Sequence, residues 1–213
     1  MKSIIQNSLC YLLVIFTLLG RSSLAQDTSF NRVQLAYGIS LEIPSHWTVL
    51  TQETRQNLSA LSESITKNAG VELSEGIKEG LLAVNAAPEP TGAMIRISII
   101  SPPDYTQADL VTTTPENLGE MGTAMLDMMK QFEVSGGPKI IKIQPLHIEK
   151  LNNYNMLVIP YIRDGINGTS PWQVTQYKIP VTNKIIEITL SHRQSESIIW
   201  QPILEYVKRS VQF

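Results

Sequence analysis

The chain has 213 residues, of which 43 % are hydrophobic and 17 % charged, and its 17 basic and 19 acidic side chains give a formal net charge of −2. That balance lacks the basic excess with which nucleic-acid binders neutralise phosphate, so a nucleic-acid partner is not expected. There is one cysteine, Cys10, which rules out an intramolecular disulfide framework.

The N-terminus reads as a secretory signal peptide over residues 1–25. Lys2 gives a positive start, Leu9 to Leu19 is an almost unbroken apolar run, Gly20 breaks it, and Ser23-Leu24-Ala25 places small residues where signal peptidase needs them. The run is about half of the roughly 20 apolar residues that span a bilayer, so cleavage after Ala25 is expected, with no stable membrane span left. Arg21 is the feature that would favour an uncleaved anchor. Cys10 sits inside the apolar run rather than behind it, which argues against a lipoprotein. Cleavage removes Lys2, Arg21 and Cys10 but no acid, leaving 15 basic against 19 acidic residues and a net charge of −4. Residues 26–213 are then expected to form a single α/β domain, large enough to stand on its own core, in the periplasm or secreted.

In the mature region, Val33-Gln34-Leu35 and Ile39 to Ile43 alternate around Tyr37-Gly38 and predict a hairpin, stopped by Pro44. Leu58, Leu61 and Ile65 recur at helical spacing between Thr51 and Lys67. Leu81 to Ala87 and Met94 to Ile100 read as strands joined by a turn at Glu89-Pro90-Thr91-Gly92. Thr114-Pro115 opens a helix with Leu118, Met121, Met125, Met128 and Phe132 on its inner stripe, ended by Gly136-Gly137-Pro138. Ile141/Ile143, Met156/Val158, Trp172/Val174 and Ile186/Ile188 then predict a four-stranded antiparallel meander, with turns at Asn152-Asn153, Gly165 to Gly168 and Thr182-Asn183. A last helix, capped by Ser195 or Ser197, is expected to turn Ile199, Ile203 and Val207 inward.

Gly38-Ile39-Ser40-Leu41-Glu42-Ile43-Pro44 with Trp47 shortly after, and Ile203-Leu204 running to Ser210-Val211-Gln212-Phe213, resemble the opening and closing phrases of the PsbP-like family. The resemblance spans most of residues 30–213. It implies an α+β fold, an antiparallel β-sheet with flanking helices in an α/β/α sandwich, shared with a Ran-binding nuclear cofactor and bacterial DcrB-type exported proteins. It also implies binding or assembly of other proteins rather than a catalytic centre; a shared fold is an analogy for function and no more.

The residues carry no motif for chemistry. The mature region has no thiol nucleophile, no His-Glu-x-x-His spacing and neither a nucleophile elbow nor a phosphate-cradling glycine loop. His147-Ile148-Glu149 lacks the cysteine pair that completes a zinc deaminase site. Met121, Met125, Met128 and Met129 on one helix raise a thioether metal site, but methionine filling an irregular core explains them more simply. Tyr105, Trp172, Tyr177 and Trp200 suit either an interface or a core rim. The Asn57-Leu58-Ser59 and Asn167-Gly168-Thr169 glycosylation sequences matter only in a eukaryotic secretory route.

The strongest polar set is Tyr161 and Arg163 on one strand with Thr189, Ser191 and Arg193 on another, each at period two and so on one face. If the two faces coincide, two guanidiniums and several hydroxyls meet in one patch fit for an acidic partner. Otherwise the arginines pair with Asp164, Glu187 or Glu196 on a solvated sheet. The sequence therefore predicts a non-enzymatic exported binding protein with a protein partner in the cell envelope and no cofactor. The alternatives are a small-ligand or metal-binding protein using that patch or the methionine helix, and a hydrolase with a scattered catalytic set.

Overall fold

A computed structural model describes residues 28–68, 77–165 and 170–213. The expected signal peptide, the Asn167-Gly168-Thr169 sequence and most of the turn expected from Gly165 to Gly168 lie outside the described residues.

β1 (Phe30–Gln34) and β2 (Ser40–Pro44) form the expected hairpin as a two-stranded sheet of their own. Tyr37 at φ 63° and Gly38 at φ 76° reverse the chain. Glycine takes this left-handed conformation freely. Tyr37 is held there by donating its hydroxyl to Glu79 at 2.9 Å, with the Lys184 ammonium 4.2 Å from its ring centroid. β3 (Thr48–Val49), α1 (Gln52–Asn68), β4 (Ile77–Asn85) and β5 (Ala93–Ser101) follow. Next come α2 (Gln107–Thr112), α3 (Pro115–Val134), β6 (Ile140–Ile143), β7 (His147–Leu151), β8 (Tyr154–Arg163), β9 (Trp172–Val181), β10 (Lys184–Arg193) and α4 (Ser197–Arg209).

Among the described residues eight strands make one antiparallel sheet in the order β3-β4-β5-β10-β9-β8-β6, with β7 also pairing β8. The expected meander is therefore one strand richer. Pro145 has no N–H to give a ladder, so the chain breaks there, and β6 and β7 lie end to end along the single long β8. The Asn152-Asn153 turn, with Asn152 at φ 54°, closes the β7–β8 hairpin.

The sheet buries both faces. On the first, Ile95, Ile97 and Ile99 of β5, Ile186, Ile188 and Leu190 of β10, Tyr177 and Ile179 of β9 and Met156 and Val158 of β8 form the main core, joined by Leu41 and Ile43 of β2 and Leu204 and Val207 of α4. On the second, Leu157 and Ile159 of β8 meet Leu110 of α2 and Leu146, with Leu118 and Met125 of α3 packed against them. Burying each such side chain contributes about 1.5–3 kcal/mol.

Two helical phases differ from expectation. In α4 the inner stripe is Trp200, Ile203, Leu204 and Val207, while Ile199 is 52 % exposed. A row at i, i+4, i+8 drifts off a 3.6-residue helix, whereas i, i+3, i+4, i+7 stays on one side. Neither serine caps this helix: Glu196 holds the N-cap position without a side-chain cap, and the Ser197 hydroxyl donates to the Gln194 carbonyl at 2.7 Å. In α3 the buried methionine is Met129, with Met125 packed inward beside it, while Met121 is 41 % exposed. Gly122 takes the inward position that a larger residue would fill, with Leu146 Cδ1 3.5 Å from where its Cβ would stand.

Gly92 sits buried at the start of β5, where a Cβ would lie 2.5 Å from Glu196 Oε2 and 2.7 Å from Trp200 Nε1. Gly92→Ala must push these groups aside. The expected cost is about 1–3 kcal/mol, measured as a lower urea midpoint with an unchanged slope.

Candidate functional site

The strand register decides whether the predicted polar set meets. Arg193 lies opposite Trp172 and Trp172 opposite Arg163; Ser191 lies opposite Val174 and Val174 opposite Tyr161. Thr189 lies opposite Gln176, which faces Ile159. Directly opposed residues in an antiparallel ladder share a face, so all five predicted residues stand on the second face, in three adjacent cross-strand rows. β9 runs between the two groups, which separates their strands by about 10 Å.

The two guanidiniums behave differently. Arg163 lies over the buried Trp172 ring, 5.3 Å from its centroid, and donates to the Asp164 carbonyl at 3.0 Å rather than to its carboxylate. Burial pulls the Arg163 pKa down, and Tyr161 opposes that shift. Arg193 donates to Glu196 Oε1 and to the Pro90 carbonyl, both at 3.0 Å, and so ties the end of β10 to the start of α4 and to the β4–β5 turn. Ser191 is buried, and burial pushes the Tyr161 hydroxyl up to about 12. Tyr161 therefore remains a neutral phenol at any physiological pH.

Glu187 is not a partner of either arginine. It lies on the same face of β10, 4 % exposed, with its Oε1 2.5 Å from Lys78 Nζ and its Oε2 3.4 Å from Lys178 Nζ. Ser98 on β5 also donates to it at 3.4 Å. Burial alone would raise its pKa, but the charges of Lys78 and then Lys178, with their hydrogen bonds, together hold it below the usual carboxylate range. Tyr105 stands close enough for the carboxylate to act on it, and burial first and Glu187 second push its hydroxyl well above the ordinary tyrosine value.

Arg96 is the residue of this face that strand-by-strand reading overlooked. It opposes Thr189 across β5–β10, donates to the Val84 and Ile95 carbonyls at 2.8 and 2.9 Å and to Asn85 Oδ1 at 2.7 Å, and burial pulls it down to about 10. Its position at period two with Ser98 was visible in the sequence. Its cross-strand row was not.

The remaining candidates are dispersed. His147 Nε2 is 3.0 Å from Glu149 Oε1, the expected same-face pair on β7, and Lys208 reaches the other oxygen of Glu149 at 3.3 Å. Among the described residues no group of three or more His, Cys, Asp or Glu is placed to hold a metal ion. A cavity of about 70 Å³ opens on the first face, between the sheet and α4, and its lining includes neither Arg163 nor Arg193. Among the described residues no helix is long and apolar enough to cross a membrane.

No family model and no curated protein matches this sequence. Solved structures do. The chain superposes on cyanobacterial PsbP (CyanoP) from Synechocystis sp. PCC 6803 with a TM-score of 0.53 at 11 % identity, over 91 % of this chain and 98 % of that one. The fold is PsbP-like. LpqN, involved in cell envelope biogenesis of Mycobacterium tuberculosis, matches with a TM-score of 0.44 at 12 % identity over 88 % of this chain and 92 % of its own. A Bacteroides thetaiotaomicron protein matches with a TM-score of 0.42 at 11 % identity, over 82 % of this chain and 44 % of that one. The predicted polar rows thus lie on the second face of a PsbP-like sheet, on the neighbouring strands β10, β9 and β8.

Proposed function

We propose that this chain is an exported, non-enzymatic binding protein, an assembly or accessory factor for another protein of the cell envelope. Its partner is engaged through the rows that hold Tyr161, Arg163, Thr189, Ser191 and Arg193. The observation that carries this reading is the cross-strand row Arg163–Trp172–Arg193, in which two arginines stand on either side of one tryptophan and the Arg163 guanidinium lies over its ring. Tryptophan, tyrosine and arginine are the residue types enriched among the strongest contributors at protein interfaces. A guanidinium fork also selects carboxylates, so an acidic partner segment is the complement. The PsbP-like fold agrees with a binding role by analogy alone.

The test is in-cell crosslinking of the mature protein beside an Arg163→Ala/Arg193→Ala double variant. A specific adduct should form with the wild type and weaken at least a hundredfold in the variant, since each truncated interface charge costs about 2 kcal/mol or more. Losing the Arg193–Glu196 pair, the Arg193–Pro90 hydrogen bond and the Arg163–Trp172 contact should together cost about 1–3 kcal/mol, so the adducts are compared well below the lowered Tm of the variant. Equal adduct from both proteins would sink the proposal.

A further inference from the structure

The cavity between α4 and the first face of the sheet lies apart from the arginine rows. Its walls are Gln173, Thr175 and Tyr177 of β9, Leu190 and His192 of β10, and Gln201, Leu204 and Glu205 of α4. Leu190 and Leu204 are buried and form an apolar floor, while Gln201 is exposed and marks the mouth. A volume of about 70 Å³ is room for roughly five water-sized groups, at about 10–15 Å³ each.

The polar lining is biased towards accepting hydrogen bonds. His192 is 5 % exposed, and its Nδ1 stands 3.0 Å from the Arg193 carbonyl. A carbonyl can only accept, so Nδ1 carries a proton, and it is the neutral form of the ring that offers Nε2 as an acceptor. Glu205 gives its Oε1 to Lys208 at 2.8 Å, and a carboxylate has a second oxygen with its own lone pairs. Gln173, Gln201, Thr175 and Tyr177 supply further oxygens that can turn to a donor.

The charge has the same sense. Glu205 is the acid among the lining residues, and none of them is a lysine or arginine. Behind the wall, Lys208 is shared between Glu205 and Glu149, at 2.8 and 3.3 Å, and lies 5.2 Å from the Tyr177 ring centroid. Two carboxylates share this one ammonium, and Glu149 also meets His147 Nε2 at 3.0 Å. The same Tyr177 ring and the same Glu205 already hold one ammonium, the chain's own. We infer that the cavity is a binding socket for a primary ammonium group, set between His192 Nε2 and Glu205. The group would come either from a small free amine or from a lysine side chain presented by another polypeptide. Three N–H donors on a compact cation match an acceptor-lined pocket of this size, whereas the planar guanidinium fork is wider.

The test is an NMR titration of the isotopically labelled mature protein, following the His192 ring and the Gln173 and Gln201 side-chain amides. Methylammonium chloride should shift all three saturably. Tetramethylammonium, equal in charge but without N–H donors, should leave them unmoved. Glu205→Gln, a change on the half-buried rim, should weaken methylammonium roughly tenfold, the factor that corresponds to about 1.4 kcal/mol, while Tm stays close to the wild type. An Nα-acetyl-lysine amide separates the two sources: tighter binding than methylammonium identifies a socket for a lysine side chain, and weaker binding identifies a site for a free amine. No saturable shift with methylammonium, or an equal response to tetramethylammonium, overturns the inference.

Discussion

Replacing Lys78 and Lys178 together by methionine should destabilise the protein by about 3–5 kcal/mol, more than replacing Glu187 by glutamine. The asymmetry comes from burial. The Lys78 and Lys178 side chains are 56 % and 24 % exposed, against 5 % for Glu187. When the carboxylate is lost, the ammoniums still reach water, and the expected cost is about 1–3 kcal/mol. When the ammoniums are lost, a carboxylate is stranded in the sheet with the Ser98 hydroxyl as its one neutral donor among the described residues. The pH dependence should also reverse. In the wild type the Glu187 pKa is lowered on folding, so its contribution is fully present above the unfolded value of about 4.3 and is lost as pH falls through the folded value. In the double variant desolvation acts unopposed and raises the folded pKa. Its stability is then greatest below the unfolded value and is lost as pH rises towards the raised one. Urea unfolding of both proteins across the mildly acidic range reads this directly, and a stability difference independent of pH would refute it.

Trp47→Ala should cost about 3–5 kcal/mol, and Trp47→Phe no more than about 1. Trp47 is 5 % exposed and meets Trp200 edge to face, with centroids 5.7 Å apart and planes at 76°. Such a contact adds about 0.5–1.5 kcal/mol beyond the buried area, and phenylalanine keeps much of it. The indole Nε1 is buried without a hydrogen-bond partner among the described residues. An unmade bond of this kind costs about 1–3 kcal/mol, so removing the N–H offsets part of the lost ring volume. Trp172 and Trp200 remain to report unfolding by fluorescence. A loss for Trp47→Phe well above about 1 kcal/mol would mean that Nε1 is satisfied in solution.

Much of this fold could be read from one-dimensional pattern, and the exceptions share a cause. Strands announce themselves through alternation, and the β1–β2 hairpin, β5, β8, β9 and β10 all lie where alternation put them. Helix phase was less legible, because an apolar residue at the right spacing does not say which side the tertiary structure will cover. Ile199 satisfied a helical spacing and still faces solvent, since Trp200 fills the place beside Trp47. The short α2 was written in plain sight as Thr106-Gln107-Ala108-Asp109, where the Thr106 hydroxyl and the Asp109 carboxylate cap each other's backbone. With only six residues, it has no apolar period to find.

The polar rows show what period two can and cannot supply. It placed Thr189, Ser191 and Arg193 on one face of their strand and Tyr161 and Arg163 on one face of theirs. It could not say that β9 lies between them, that Trp172 would complete the arginine row, or that Arg96 would extend the threonine row on the far side. These are facts of register, fixed by turns and packing between distant segments.

The interruption at Pro145 has a further consequence, for solubility. A long, continuous edge strand is a template on which a second chain can add and begin an aggregate. Here one flank of the sheet ends in two pieces, β6 of four residues and β7 of five, broken by a residue that cannot donate. The other flank ends in β3, two residues long. Where β4 runs on past β3, a register shift between Gly80 and Leu82 and the charges of Lys78 and Glu79 interrupt the ladder. Among the described residues neither flank offers an incoming strand a long unbroken ladder, which works against growth of the sheet by pairing with its own copies.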